Sequence, residues 1–232
     1  MSEPGPPVSR ETSGTPETPP APASARGVFG SRLPLAERYA AFLAGDGVLR
    51  GLIGPREVPR LWERHLVNCA VLAEAVPQGE TVADVGTGAG LPGIVLAIVR
   101  PDLHVTLVEP LLRRTTFLEE AVSGLGLDNC VVHRARAEQL HGEQTFDVVT
   151  SRAVAPLPRL LDWSMPLVAP QGMLLAMKGS KAGEEIVGAR ADLRRLGCAD
   201  PDVLFLGAGE PALLDPPTTV VRVVRRGVRV RG

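Results

Sequence analysis

The chain has 232 residues, 44% of them apolar, enough to bury one well-packed domain rather than two. Its apolar runs fall far short of the roughly 20 residues that cross a bilayer, and its start, MSEPGPPVSR, lacks the apolar stretch of a secretory signal. A net charge of −1 argues against a dedicated basic nucleic-acid binder but leaves room for a local basic face.

Residues 1–30 carry seven prolines before Ala23, together with Ser, Thr and Glu. Such a segment cannot bury enough surface to offset its ordering entropy, so it reads as a disordered tail. From residue 31 to 76 the pattern turns helical. Leu35, Tyr39, Phe42 and Leu43 share one face, and Leu61, His65, Asn68, Leu72 and Ala75 recur at three- and four-residue steps. Gly and Pro between Gly45 and Pro59 divide this helical cap into at least two helices.

Residues 77–232 alternate short apolar strands with helices. Strands are expected at 81–86, 104–109, 129–134, 146–151, 172–178, 203–206 and 219–225; helices at 91–99, 112–125, 157–167 and 184–196. That alternation predicts an α/β fold, a doubly wound, mostly parallel seven-stranded sheet. The C-terminus frays into an Arg-rich tail. Cys69, Cys130 and Cys198 stand far apart, without a CxxC or a His cluster, so they read as buried reduced thiols with no metal.

The informative stretch is Asp84-Val-Gly86-Thr-Gly88-Ala-Gly90-Leu-Pro92-Gly93, between the first strand and the first helix. A cofactor-binding turn belongs there in this architecture. Glycines let the backbone approach a ligand closely, which makes Gly86 and Gly88 candidate contacts. Gly88-x-Gly90-x-x-Gly93 fits a dinucleotide fingerprint letter for letter. Asp84 counts against that reading, because a carboxylate beside the helix N-terminus would repel a pyrophosphate. S-adenosylmethionine has no phosphate and carries a cationic amine and a sulfonium, so the acid favours it. Glu109, ending the second strand, can accept from ribose hydroxyls with either cofactor. After the third strand, Ala137-Glu138 supplies the small residue and acid that can read an adenine.

The run DVGTGAGLPGIVLAIVRPDLHVTLVEP, the R-x-x-FLEE element from Arg114 to Glu120, FDVVTSRAVAPL and LLAMKG resemble the ribosomal RNA small subunit methyltransferase G family, also called glucose-inhibited division protein B. The resemblance covers residues 61–181. It implies a Rossmann-like class I S-adenosylmethionine-dependent methyltransferase that modifies N7 of a guanine in 16S rRNA. Carried over by position, the donor contacts are Gly86, Leu91, Ala137, Glu138 and Arg152, with Glu109 on the ribose. The implied partner is small-subunit rRNA or the 30S subunit, met by a cytoplasmic monomer with no membrane association. The chain departs from the family at residues 50–56, Arg-Gly-Leu-Ile-Gly-Pro-Arg, where many members carry a Trp…Tyr-Asn-Leu-Thr segment.

An N7 target suits the residues. Guanine N7 has an in-plane lone pair, so catalysis is mostly proximity and orientation, and no general base is needed. The position after the fourth strand accordingly holds Ser151-Arg152-Ala153, and not the Asn/Asp-Pro-Pro-aromatic motif used on exocyclic amines. Asp215-Pro216-Pro217 has such letters but reads as a turn before the last strand, far from that position. Arg152 and Lys178 end strands four and five, where ligands bind in such sheets, and are the candidates for orienting the substrate. Arg64, His65 and Ser151 are weaker substrate candidates; His65 falls on the apolar face of its helix, which favours a hydrogen-bonded core histidine over a catalytic one. Three rivals stand beside this reading: a methyltransferase of the same fold acting on another RNA, a protein or a small molecule, an NAD-dependent oxidoreductase, and a non-catalytic RNA-binding module.

Overall fold

The structure is a computed structural model that describes residues 18–210 and 212–227. Most of the expected N-terminal tail and the last five residues of the basic C-terminus lie outside the described residues. Seven strands form one sheet in the order β3-β2-β1-β4-β5-β7-β6. They are β1 (Thr81–Val85), β2 (His104–Val108), β3 (Cys130–His133), β4 (Phe146–Arg152), β5 (Val168–Lys178), β6 (Asp202–Leu206) and β7 (Thr218–Val224). Strands β1 to β5 run parallel; β7 lies antiparallel between β5 and β6. The central strands β1 and β4 are buried at nearly every position, polar residues Asp84, Thr150 and Ser151 included, because helices cover both faces of the sheet.

The chain order reverses between β1 and β4, and β1 pairs with both β2 and β4. This switch point brings the carboxyl ends of β1, β2, β4 and β5 to one edge, the edge where ligands bind in open α/β sheets. One face carries α4 (Gly93–Val99) and α5 (Leu112–Leu125), and the other α6 (Leu157–Ser164) and α7 (Ala182–Arg195).

The N-terminal helices complete the first face. They are α1 (Ala23–Phe29), α2 (Leu33–Phe42) and a helical rod over 55–75 that includes the short α3 (Asn68–Ala70). Their buried side chains, among them Tyr39, Leu43, Leu61 and Leu66, belong to the same apolar cluster as α4 and β1. Asn68 Nδ2 donates to Thr218 Oγ1 at 2.7 Å, tying the rod to the start of β7. No helix among the described residues is long and apolar enough to cross a membrane.

The expectation of a disordered tail reaching residue 30 is corrected. Residues 23–29 form α1, Ala25 and Phe29 are buried, and Trp62 Nε1 donates to the Pro19 carbonyl at 2.8 Å. Proline content upstream masked a short helix whose Ala25 and Phe29 stand four apart on one face. Phe29 meets the Trp62 ring edge-on, centroids 6.2 Å apart. Truncating such a side chain costs about 3–5 kcal/mol. We therefore expect Phe29→Ala to lower the melting temperature by roughly 6–20 °C. A shift within about 2 °C would return this segment to the tail.

Candidate active site

The turn after β1 is built by Asp84. Its carboxylate is fully buried, and Oδ2 accepts from Gly93 N at 2.7 Å and from Thr87 Oγ1 at 2.5 Å. The first N–H of α4 is thus taken by the chain's own acid, and a pyrophosphate would find both that donor and the electrostatic space occupied. Asp84 does not line the cleft, so it acts on the loop rather than directly on a ligand. Gly93 is required here by close approach: a Cβ would lie 2.3 Å from Leu107 Cδ2 and 2.9 Å from Asp84 Oδ2. The cap steadies the same loop, since buried Tyr39 donates from its hydroxyl to the Ala89 carbonyl at 2.6 Å.

Burial pushes the Asp84 carboxyl up to about 6, against the lowering effect of its Thr87 and Gly93 hydrogen bonds, and its Oδ1 has no partner. A carboxyl raised in the folded state favours folding most when protonated. Its contribution is complete below the ordinary aspartate range near 4 and is lost as pH rises through about 6. Asp84→Asn keeps an acceptor for Gly93 and Thr87 without the charge. The variant should gain stability relative to the natural chain between about pH 4 and 7, by up to about 3 kcal/mol. Melting curves across that range check this; a difference that does not change with pH would show that Asp84 ionises without cost.

Two clefts open along the carboxyl edge. The first, about 480 Å³, is lined by Gly86 from the glycine loop, Glu109 and Leu111 after β2, Ala137 and Glu138 after β3, and Arg152 at the end of β4 with Ala153 and Val154 beyond it. Such a volume suits a cofactor-sized ligand. Glu109 is buried; Oε2 accepts from Gly88 N and Oε1 from Leu111 N, each at 3.2 Å, with Arg114 Nη1 at 3.4 Å. Arg136 N donates to Gln139 Oε1 at 2.8 Å, fixing the turn that presents Ala137 and Glu138. Arg114, Arg136 and Trp163 also line this cleft and were not singled out from the sequence.

The second cleft, about 860 Å³, lies between the helical rod and the ends of β4, β5 and β7. Arg64, His65, Lys178 and Glu185 line it, and Arg152, Ala153 and Val154 form a wall common to both clefts. At this divider Ala153 holds φ +55°, a left-handed conformation uncommon for a residue with a Cβ. Lys178 Nζ donates to the Ala155 carbonyl at 2.7 Å and pairs with Glu185 Oε2 at 2.8 Å. Leu157 N donates to that same oxygen at 2.7 Å, so the lysine fixes the loop behind the divider. Arg152 Nη1 donates to the Arg64 carbonyl at 3.0 Å, and Nη2 lies 2.8 Å from His65 Nδ1.

Several expectations need correction. Gly88 and Leu91 do not line the first cleft: the Gly88 N–H is turned to Glu109, and Leu91 packs in the apolar core. Ser151 lines neither cleft. It is buried, and its hydroxyl donates to the Val85 carbonyl at 2.9 Å, because neighbours on a strand face opposite ways and Arg152 takes the open side. His65 is no plain core histidine but a half-buried wall of the second cleft. Pro216 and Pro217 are not remote from β4: β7 lies beside β5, which carries them to the second cleft. Gly86, Glu109, Ala137, Glu138 and Arg152 gather at the first cleft, and Arg64, His65, Arg152 and Lys178 at the second.

The profile of the family described as rRNA small subunit methyltransferase G matches residues 32–214. A ribosomal RNA small subunit methyltransferase G from a Nocardioides species is 68% identical, over 90% of this chain and 82% of that one. One of the same name from Thermobifida fusca is 58% identical, over 86% and 83%. Among solved structures, an S-adenosylmethionine-dependent O-methyltransferase from Thermotoga maritima superposes with a TM-score of 0.55 at 15% identity, covering 75% of this chain and 71% of that one. A ribosomal protein L11 methylase from Lactobacillus delbrueckii gives 0.51 at 17% identity, over 69% and 77%. These two share the fold. By profile and identity alike, the chain belongs to the rRNA small subunit methyltransferase G family.

Proposed function

We propose that the chain transfers a methyl group from S-adenosylmethionine, held in the first cleft, to N7 of a guanine in 16S rRNA, held in the second. The observation that carries this is the wall the clefts share, Arg152 to Val154, which puts two ligands side by side at the sheet edge. The donor set fits the methyl donor. Glu109 offers a buried carboxylate for ribose hydroxyls, Ala137 and Glu138 suit an adenine edge, and Gly86 of the glycine loop lines the cleft without a side chain. When bound, S-adenosylmethionine supplies an electrophilic methyl on a sulfonium. The chain's task is orientation: guanine N7 needs no deprotonation, and correct placement alone can supply several orders of magnitude. The carboxylate in the second cleft, Glu185, is held by Lys178 and Leu157 N, as befits a site that removes no proton. With Lys178 neutralised by Glu185, the Arg64 and Arg152 guanidinium groups lining this cleft favour an RNA backbone.

The test is incubation of the purified chain with labelled S-adenosylmethionine and small subunits or 16S rRNA lacking the modification, then nucleoside digestion. Label is expected in 7-methylguanosine. Label in another nucleoside, or only in protein, would overturn the reading.

A further inference from the structure

A half-buried histidine stands between an acid and the arginine of the divider. We propose that Glu57 and His65 are positioning residues that lock the Arg152 guanidinium across the wall between the two clefts, and that protonating His65 releases it. This rests on the reading that the clefts hold methyl donor and guanine.

The hydrogen bonds fix the state of the ring. Guanidinium can only donate, so His65 Nδ1 accepts from Arg152 Nη2 at 2.8 Å. The ring proton then sits on Nε2, which donates to Glu57 Oε2 at 3.0 Å. With Nη1 on the Arg64 carbonyl, two directions of the planar fork are set from the helical rod, in a side chain that lines both clefts. A protonated ring has two donors and no acceptor, so it would meet the guanidinium donor to donor and charge to charge.

The groups around His65 agree with a neutral ring. Burial and then Arg152 hold its pKa below the ordinary value, and Arg64 adds to this, while Glu57 pulls the other way. From β5 and α7, Lys178 and Glu185 line the same cleft but are paired with each other at 2.8 Å.

The test is single-turnover methyl transfer at saturating S-adenosylmethionine, on whichever RNA accepts label, from about pH 5 to 8. For the natural chain, transfer should fall on the acid side with a midpoint below about 6.5. His65→Asn places a carbonyl oxygen near Nδ1 and does not titrate, so it should keep transfer within about threefold at neutral pH and lose the acid limb. His65→Phe, with no acceptor, should lose at least about tenfold with unchanged cofactor affinity. Glu57→Gln removes the group that favours the imidazolium and should move the midpoint to lower pH. Independently of turnover, the Arg152 side-chain NMR signal should change across the same pH range in the natural chain and not in His65→Asn.

Full activity in His65→Phe, an acid limb that persists in His65→Asn, or an Arg152 signal blind to pH would overturn the proposal. Equal losses in both His65 variants with lowered melting temperatures would assign packing alone, and overturn it too. Methylation at a site other than guanine N7 would reject the function proposed above while leaving these ratios readable.

Discussion

Gly86→Val should weaken S-adenosylmethionine binding by more than about a hundredfold, near 2.7 kcal/mol, while the chain stays folded. Gly86 holds φ +69° and lines the first cleft. A Cβ there would lie 3.0 Å from Val154 Cγ2 and 3.2 Å from Val154 Cγ1. Two branched side chains would then contend for one space at the divider, and relief in either direction pushes carbon into a cleft. The left-handed backbone adds a strain of about 1–3 kcal/mol for a β-branched residue. The fold should survive, because the Gly86 N–H still reaches the Val108 carbonyl at 2.9 Å and Val154 is partly exposed. Gly124→Ala is the control: it lies within α5 with open space around its Cβ position, and should leave affinity unchanged. Calorimetric affinity within a few-fold of the natural chain would remove this loop from donor binding.

The seven strands were legible because each is a short apolar run bounded by turns, and TVADV and FDVVTS announce a sheet covered on both faces. Pairing is another matter. That β7 runs antiparallel between β5 and β6 depends on contacts such as Met173 with Val224, and nothing local to either strand specifies it. The misreading of Pro216 and Pro217 follows directly, since their distance from β4 along the chain says nothing about a strand inserted beside β5. Ser151 was open to correction from sequence alone: with Arg152 at the cleft, strand parity sends Ser151 to the other side. Glu57 left no such signal. It acts through His65 from the far end of the rod, and that relation appears only once the helix is built. Asp84 was recognised as an acid at the loop, but whether it faced ligand or backbone turned on Gly93, whose missing Cβ lets the helix close onto the carboxylate.

Arg152→Lys should lower methyl transfer at least about tenfold, some 1.4 kcal/mol in the transition state, with little change in melting temperature. Arg152 forms part of the wall between donor and substrate clefts and is held at two points, Arg64 O and His65 Nδ1. A guanidinium meets both acceptors within one plane and keeps further N–H groups for the clefts. An ammonium on a flexible stem keeps the charge but must choose among acceptors, so it loses the geometry rather than the field. Since an N7 transfer depends on orientation and not on proton removal, lost geometry should appear in the transfer step. Stability should hold, because the side chain lies at the cleft edge and the β4 backbone ladder to β5 is untouched. Single-turnover transfer at saturating donor, beside a melting curve, separates the possibilities. Unchanged turnover would reduce Arg152 to a surface cation, and a collapse in melting temperature would make it a structural tie between β4 and the helical rod.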